Sequence, residues 1–113
     1  MKVIKCVPEK PEVEVIKIPN TLDSLHEQVG GYIETMMLPE GDAVCILNEE
    51  GKMIQMEISR TLYNSQTNEM VDVLCGPFLI AGVDGEEFCS LTYEQLKKYC
   101  RIFGRRSIDI NDL

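Results

Sequence analysis

The stretch Cys75-Gly-Pro-Phe-Leu-Ile-Ala-Gly-Val83 carries the strongest fold signal in this 113-residue chain. Its apolar side chains fall on both faces of an extended segment, which is typical of a buried β-strand. Pro77 has no backbone N–H to donate, so we expect it at the start of the paired segment. Asp84-Gly85 follows directly and is a tight-turn pair. The stretch therefore predicts a buried strand that ends in a tight turn.

A helix is predicted downstream, because Thr92-Tyr-Glu-Gln95 has the form of a capping box. Past the capping box, apolar side chains recur at helical spacing and mark one buried face: Leu96, Tyr99, Cys100 and Phe103. Gly104 is a stop signal for this helix. Residues 105–113 lie beyond it, and we expect them to be a candidate flexible tail.

Four more strands are predicted upstream from short apolar segments: Val3 to Val7, Val13 to Ile18, Tyr32 to Leu38 and Ala43 to Leu47. Ala43 to Leu47 is continuously apolar, so we expect it near the centre of the sheet. In Val13 to Ile18 the apolar alternation slips by one residue. That slip predicts a bulge or burial on both faces of the strand.

A short amphipathic helix is predicted between the second and third strands. Asn20-Thr21 supplies its N-cap and Gly30-Gly31 its stop signal. The apolar stripe consists of Leu22, Leu25 and Val29. His26, the single histidine, lies beside this stripe without a partner at metal-ligand spacing, so we interpret it as a helix-flank residue.

We therefore predict a single α+β domain over residues 1–113, with a mixed or antiparallel sheet of about five strands and two helices packed on it. Met53 to Ile58 alternates poorly and fits either a strand or an extended loop. Thr61 to Val71 contains three Asn or Gln side chains and has no period. We expect it to be the least ordered stretch and a natural place for function.

Charge is distributed unevenly along this acidic chain. The net charge is −8, and residues 32–76 hold 8 acidic and 2 basic side chains. A field of this sign repels phosphates, so direct nucleic-acid binding is not expected. The one basic cluster lies on and after the last helix, where cations complement the helix dipole: Lys97, Lys98, Arg101, Arg105 and Arg106.

Cysteine usage and hydropathy indicate a cytoplasmic protein. The five cysteines are odd in number and include no C-x-x-C pair, so we expect reduced, mostly buried thiols. Residues 1–10 lack the uninterrupted apolar segment of a secretory signal. The apolar runs are far shorter than the ~20 residues that span a bilayer, so no membrane segment is expected.

Motifs of phosphate-binding loops, zinc hydrolases and serine hydrolases are absent, and we expect no cofactor and no metal. The turn acids from Asp84 to Glu87 supply too few oxygens for a calcium site, so solubility and local capping explain them better. Arg60 is one of the two basic residues in the acidic segment. It is expected either to hold a specific ion pair or anionic ligand, or to be a weakly paired surface arginine.

The segment from Gly76 to Tyr99 resembles the bacterial family of domains of unknown function numbered 3846. Gly31-Tyr-Ile-Glu34 and Asn48-Glu-Glu-Gly-Lys52 add to the likeness, which covers nearly the whole chain. This chain has Ser59-Arg60 where the family tends to have an Asn-Arg pair, so a role of that asparagine does not carry over. The resemblance implies a small bacterial domain, often encoded on phage or mobile elements, with no established reaction.

Three functions are compatible with these features. The chain is compact, its middle region is mostly acidic and it has no catalytic motif. These features favour a non-catalytic binding or accessory protein that binds a basic protein partner. The alternative is a small-molecule or nucleotide-binding protein, or an enzyme, with a pocket where the family-like segments converge: Tyr32, Glu34, Asn48 and Arg60. The third hypothesis is a homodimer in which the strand from Tyr32 to Leu38 pairs across the interface.

Overall fold

Two β-sheets and two helices make up the fold in the computed structural model, which describes residues 1–113. The elements in chain order are β1 Lys2–Val7, β2 Lys10–Lys17, α1 Leu22–Val29, β3 Ile33–Met37, β4 Ala43–Asn48, β5 Ile58–Asn64, β6 Glu69–Cys75, β7 Phe78–Asp84, β8 Glu87–Cys89, α2 Tyr93–Phe103 and β9 Ser107–Asp109, followed by a 3-10 turn at Ile110–Asp112. The predicted α+β class is confirmed. Neither helix is long and apolar enough to cross a membrane.

The larger sheet is antiparallel and has the strand order β2-β1-β7-β4-β3, with the short β8 beside β7. These five strands in a row are the five segments that the sequence predicts. Strand β7, which contains most of the stretch quoted first, lies in the middle, and β4 lies next to it. Ile80 of β7 pairs with Cys45 of β4 on one side and with Ile4 of β1 on the other.

Each face of the larger sheet packs against its own hydrophobic cluster. On one face, Leu25 and Val29 of α1 pack on side chains from β1, β4 and β7. On the opposite face, Tyr99 and Phe103 of α2, together with Leu62 of β5, pack on the alternate side chains of the same strands. Successive residues of a strand point to opposite faces, so one strand supplies both clusters. The larger sheet is therefore the middle layer of the molecule.

Strand β2 contacts the hydrophobic clusters on both faces of the larger sheet, as its slipped apolar alternation predicts. Val13 packs against the cluster under α2, whereas Ile16 and Ile18 pack against the cluster under α1. The pairing of β1 with β2 also shifts register between Lys5 and Val7. Val13 and Ile16 are therefore half-buried on opposite faces, in line with the prediction, whereas Val15 is exposed.

Both helices begin and end as the capping signals predict. The Thr21 hydroxyl accepts a hydrogen bond from the Ser24 amide at 3.2 Å, and Gly30 closes α1 at φ 80°, in the left-handed region that favours glycine. In α2 the capping box is complete. Thr92 Oγ1 accepts from the Gln95 amide at 3.1 Å, and Gln95 Oε1 accepts from the Thr92 amide at 2.8 Å.

The expectation that Thr61 to Val71 is the least ordered stretch is wrong. Most of it belongs to a hairpin of β5 and β6, which together with β9 form the smaller sheet. The register shifts between Leu62 and Tyr63, and such a shift removes the regular alternation by which a strand is recognised. The polar residues form the turn, where the Asn68 amide donates to the Asn64 carbonyl at 2.8 Å.

Residues 105–113, treated above as a candidate tail, contribute β9 and the 3-10 turn. Strand β9 runs parallel to β5, and Ile108 is buried in the core. Asp109 Oδ1 accepts hydrogen bonds from the amide of Ser65 at 3.3 Å, the amide of Asn111 at 3.1 Å and the Asn111 side chain at 2.8 Å. The segment is short and its partner strand is distant in sequence, so no local pattern predicts it.

Replacing Thr92 by alanine tests the capping box of α2. Thr92→Ala should lower the free energy of unfolding by about 1 kcal/mol, because the Gln95 amide loses its acceptor. Urea unfolding followed by circular dichroism measures the change. Thr67→Ala, in the turn between β5 and β6, is the matched control, and equal losses in the two variants would contradict the assignment.

Protonation of Asp109 should lower the stability of the fold in acidic solution. Its hydrogen bonds, chiefly that from Ser65, lower the pKa of the carboxyl from 3.8 to about 2. The folded state therefore binds fewer protons than the unfolded state between these values, and its stability is lost as the pH falls from about 4 to 2. The difference in unfolding free energy between wild type and Asp109→Asn should shrink over that range.

Urea titrations at pH 2, 3, 4 and 6 measure this difference. Asp112→Asn is the control, since that carboxylate accepts none of these hydrogen bonds. A wild-type to Asp109→Asn difference that stays constant between pH 4 and 2 would contradict the prediction.

Candidate functional site

A cleft of about 470 Å³ lies between the two sheets. One wall is β3, the edge strand of the larger sheet, and the other is β6, the edge strand of the smaller sheet. The end of β4 and the turn at residues 49–53 close one side. The cleft is partly open to solvent.

The cleft combines an apolar lining with charged residues. Met36, Leu47 and Leu74 supply apolar surface and also contact the core cluster under α2. Glu34 and Glu49 line the same cleft, and neither forms a salt bridge or a side-chain hydrogen bond. The two carboxylates therefore keep their charge uncompensated by any direct partner.

Lys52 and Asp72 form an ion pair across the cleft, from the turn to β6. The hydrogen bond to Asp72 raises the pKa of Lys52 above its ordinary value. Burial opposes a low pKa for Asp72, but the hydrogen bonds from Lys52 and from the Val73 amide outweigh it and lower that pKa. The pair cancels its own charge, so Glu34 and Glu49 leave the cleft net negative.

Strand β3 has a free edge beside the cleft. Hydrogen bonds at both ends of its ladder with β4, Glu49 N to Tyr32 O and Leu38 N to Ala43 O, each measure 2.9 Å. In an antiparallel ladder the bonded residues alternate, so Ile33, Thr35 and Met37 turn their backbone N–H and C=O groups away from β4. No other strand pairs with this edge.

Two of the four predicted site residues, Glu34 and Asn48, line this cleft. Asn48 is nearly buried and has a structural task there. Its side-chain amide donates to the Val29 carbonyl at 3.2 Å, and its Oδ1 accepts from the Glu50 amide at 2.8 Å. A Cβ on Gly31 would come within 2.9 Å of the Asn48 side chain. Asn48 thus joins the end of α1 to the turn that closes the cleft.

Tyr32 lies next to the cleft but does not line it. Its side chain is 69% exposed and its ring meets the His26 ring edge-on, at 5.3 Å between centroids. The Tyr32 backbone carbonyl fixes the first residue of the closing turn by accepting from Glu49. The His26 ring therefore has an aromatic neighbour on the flank of α1.

Arg60 is neither part of the cleft nor on the surface, and it pairs with no carboxylate, so the predictions made for it are corrected. Its side chain is fully buried and forms no salt bridge. The guanidinium donates instead to backbone carbonyls: Phe103 at 2.8 Å, Ser59 at 2.8 Å, Val7 at 3.1 Å, Lys10 at 3.4 Å and Pro11 at 2.7 Å. Burial lowers the pKa of the guanidinium below its ordinary value. The residue joins β5 to the β1–β2 turn and to the end of α2.

The sequence could not single out the other cleft residues. Asp72 follows a segment that has no periodic pattern, and Met36 looks like an ordinary strand residue. Lys52 belongs to a turn signal, but nothing local indicates that a carboxylate from a later strand reaches it. The cleft forms where two separate sheets pack together. The local sequence pattern of each strand does not predict that packing.

Three of the five cysteines, Cys6, Cys45 and Cys75, are buried, and the other two are half-buried. None of the five forms a disulfide. Burial raises the pKa of Cys6 to about 12, and it also raises the pKa of Cys45 and Cys100. A raised pKa disfavours the thiolate that nucleophilic chemistry needs. No group of His, Cys, Asp and Glu side chains is arranged to hold a metal ion.

Replacing Arg60 by lysine should destabilise the fold strongly. The variant Arg60→Lys would keep the charge but lose the planar fork of donors, leaving several buried carbonyls without a partner. The expected loss is about 3 kcal/mol in the free energy of unfolding, measured by urea titration. Arg105→Lys, at an exposed position, should change it by less than about 0.5 kcal/mol. Similar values for the two variants would contradict the structural role of Arg60.

Comparison with known proteins relates the chain to one family. The model of the family described as Domain of unknown function (DUF3846) matches residues 1–104. No curated protein and no solved structure matches the chain. The match covers β1 through the end of α2 and leaves only the segment with β9 outside. The chain therefore belongs to the DUF3846 family of domains of unknown function.

Proposed function

We propose that this protein is a non-catalytic binding protein whose cleft holds an extended, basic segment of a protein partner. The observation that supports this most is the position of the cleft between two free strand edges, β3 and β6, with unpaired carboxylates along it. Free edges accept an added strand through backbone hydrogen bonds. The carboxylates of the cleft would then favour a strand that carries positive charge.

Charge complementarity favours a basic partner. Neither Glu34 nor Glu49 forms a salt bridge, and Lys52, which attracts Glu34 at longer range, is paired with Asp72. Residues 32–76 have six more acidic than basic side chains, so the wider surroundings of the cleft share its sign. Such a field steers a cationic segment towards the cleft and repels an anionic one.

The edge of β3 favours an extended conformation of the bound segment. Ile33, Thr35 and Met37 present their backbone groups outwards, as described above, and no proline or lysine within β3 blocks the edge. An added strand places alternate side chains on one face, and those side chains would meet the apolar lining around Met36 and Leu74. We therefore propose a segment in which lysine or arginine alternates with apolar residues.

Exposed apolar side chains beside the cleft fit the same partner. Met53 lines the cleft and is 82% exposed, and Ile54 next to it is 56% exposed. Methionine adapts its shape to different apolar contacts at binding surfaces. The turn that closes the cleft thus supplies apolar surface that an apolar residue of the partner would cover.

Binding of labelled model peptides tests the proposal. Fluorescence anisotropy with the peptides KVKVKVK, TVTVTVT and EVEVEVE at low salt should show binding only for the basic one. The affinity should fall as the salt concentration rises, because exposed charges are screened. Changing Glu34 and Glu49 together to glutamine should weaken binding by about tenfold, since two exposed charge contacts are lost.

The matched control is the double variant Glu86→Gln and Glu87→Gln, at the β7–β8 turn. It changes the net charge by the same amount but lies outside the cleft. If both double variants weaken the peptide equally, the binding comes from overall charge rather than the cleft. Equal binding of all three peptides by the wild-type protein would also refute the proposal.

A small-molecule ligand is the second candidate for this cleft. Its volume of about 470 Å³ falls within the ~300 to 1,000 Å³ typical of such sites. The carboxylate lining favours a small cation over a nucleotide. Spermidine that binds as tightly as the basic peptide and competes with it would favour this alternative.

Two hypotheses from the sequence concern assembly and origin. Self-association through β3 would use the same free edge, and a strict monomer in light scattering at high concentration would exclude it. Encoding on a phage or mobile element, which the family resemblance implies, is a prediction that the neighbouring genes test.

A further inference from the structure

A second cavity, of about 210 Å³, lies where the end of α2 meets β5 and β9. Ile102 and Ile108 form its apolar part, and both are buried. Arg101 and Arg105 bring two guanidinium groups to the same cavity. It shares no residue with the acidic cleft.

The two arginines of this cavity have no partner in the protein. Neither Arg101 nor Arg105 forms a salt bridge or a side-chain hydrogen bond, although other basic residues nearby do. Lys98 pairs with Glu40 at 2.7 Å, and Arg106 donates to the Pro8 carbonyl at 2.8 Å. The cavity therefore contains two arginines without a direct partner, beside the carboxylates of Asp109 and Asp112, so the formal charge of its lining is zero.

We propose that this cavity binds a small phosphate monoester. A phosphate monoester carries almost two negative charges at neutral pH, which matches the two guanidinium groups. Guanidinium forks bind phosphate oxygens in bidentate fashion. The hydroxyl groups of Ser107 and Tyr63 line the same cavity and can donate to the remaining phosphate oxygens.

The acidic residues of the cavity indicate the chemistry of the part of the ligand that is not phosphate. Asp109 Oδ1 already accepts three hydrogen bonds from Ser65 and Asn111, whereas Asp112 accepts none. Asp112 would repel a bare phosphate but would accept hydrogen bonds from hydroxyl groups of an ester. The volume lies below the ~300 Å³ at which sites for drug-sized ligands begin. These features fit a phosphate ester of a small polyol.

Titration of the ¹⁵N-labelled protein with glycerol phosphate, inorganic phosphate and glycerol tests the proposal at constant ionic strength. Glycerol phosphate should cause saturable shifts of amide signals within residues 101–112. Inorganic phosphate should bind more weakly at the same residues, and glycerol should not bind. A lack of saturable shifts with glycerol phosphate would overturn the proposal.

Variants assign the binding to the two arginines. Changing Arg101 and Arg105 together to glutamine should weaken glycerol phosphate binding by at least about tenfold. Both positions are exposed, so the rest of the spectrum should be unchanged. The control changes Lys97 and Lys98 to glutamine, which removes the same charge from α2 outside this cavity. Equal weakening by both double variants would show non-specific attraction and overturn the site.

Asp112→Asn distinguishes an ester from a free anion. It should strengthen binding of inorganic phosphate, because a nearby negative charge is removed, and it should reduce the preference for glycerol phosphate over phosphate. An unchanged preference would refute the role of Asp112. Single-stranded DNA that binds here more tightly than glycerol phosphate would overturn the small-ester assignment in favour of a nucleic acid.

Discussion

Strand β7 must be covered on both faces, and the rest of the structure follows from that constraint. Phe78 and Ile80 point to one side, while Leu79 and Ala81 point to the other, and all four are fully buried. Exposing them would cost about 25 cal/mol for each Å² of apolar surface. On one face α1 covers β7, with Met1 and Phe88 packed beside it. On the other face α2 and the smaller sheet cover it together.

The buried guanidinium of Arg60 fixes how the second layer is placed on the first. It joins β5 of the smaller sheet to the turn between β1 and β2 and to the Phe103 carbonyl at the end of α2. The bonds are to backbone carbonyls, so the geometry of three chain segments is held without a carboxylate. At the edge of the larger sheet opposite β2, strand β3 pairs only with β4. The cleft lies at that edge.

The two candidate sites differ in charge and share no residue. The cleft at β3 and β6 is acidic because Glu34 and Glu49 lack partners, whereas two arginines and two aspartates line the cavity at the end of α2. A protein with both sites could bind a basic segment and a phosphate ester independently.

The local sequence determined the five long strands of the larger sheet, the two helices and their caps, because apolar alternation and capping signals act within a few residues. It also indicated Glu34 and Asn48, which line the cleft. Only the tertiary structure decided the rest. A register shift in the β5–β6 hairpin disrupts its apolar alternation, and β9 pairs with a strand that is distant in sequence. Arg60 is buried and donates to backbone carbonyls of three chain segments. Such features depend on contacts between segments that are distant in sequence, and local sequence patterns do not predict those contacts.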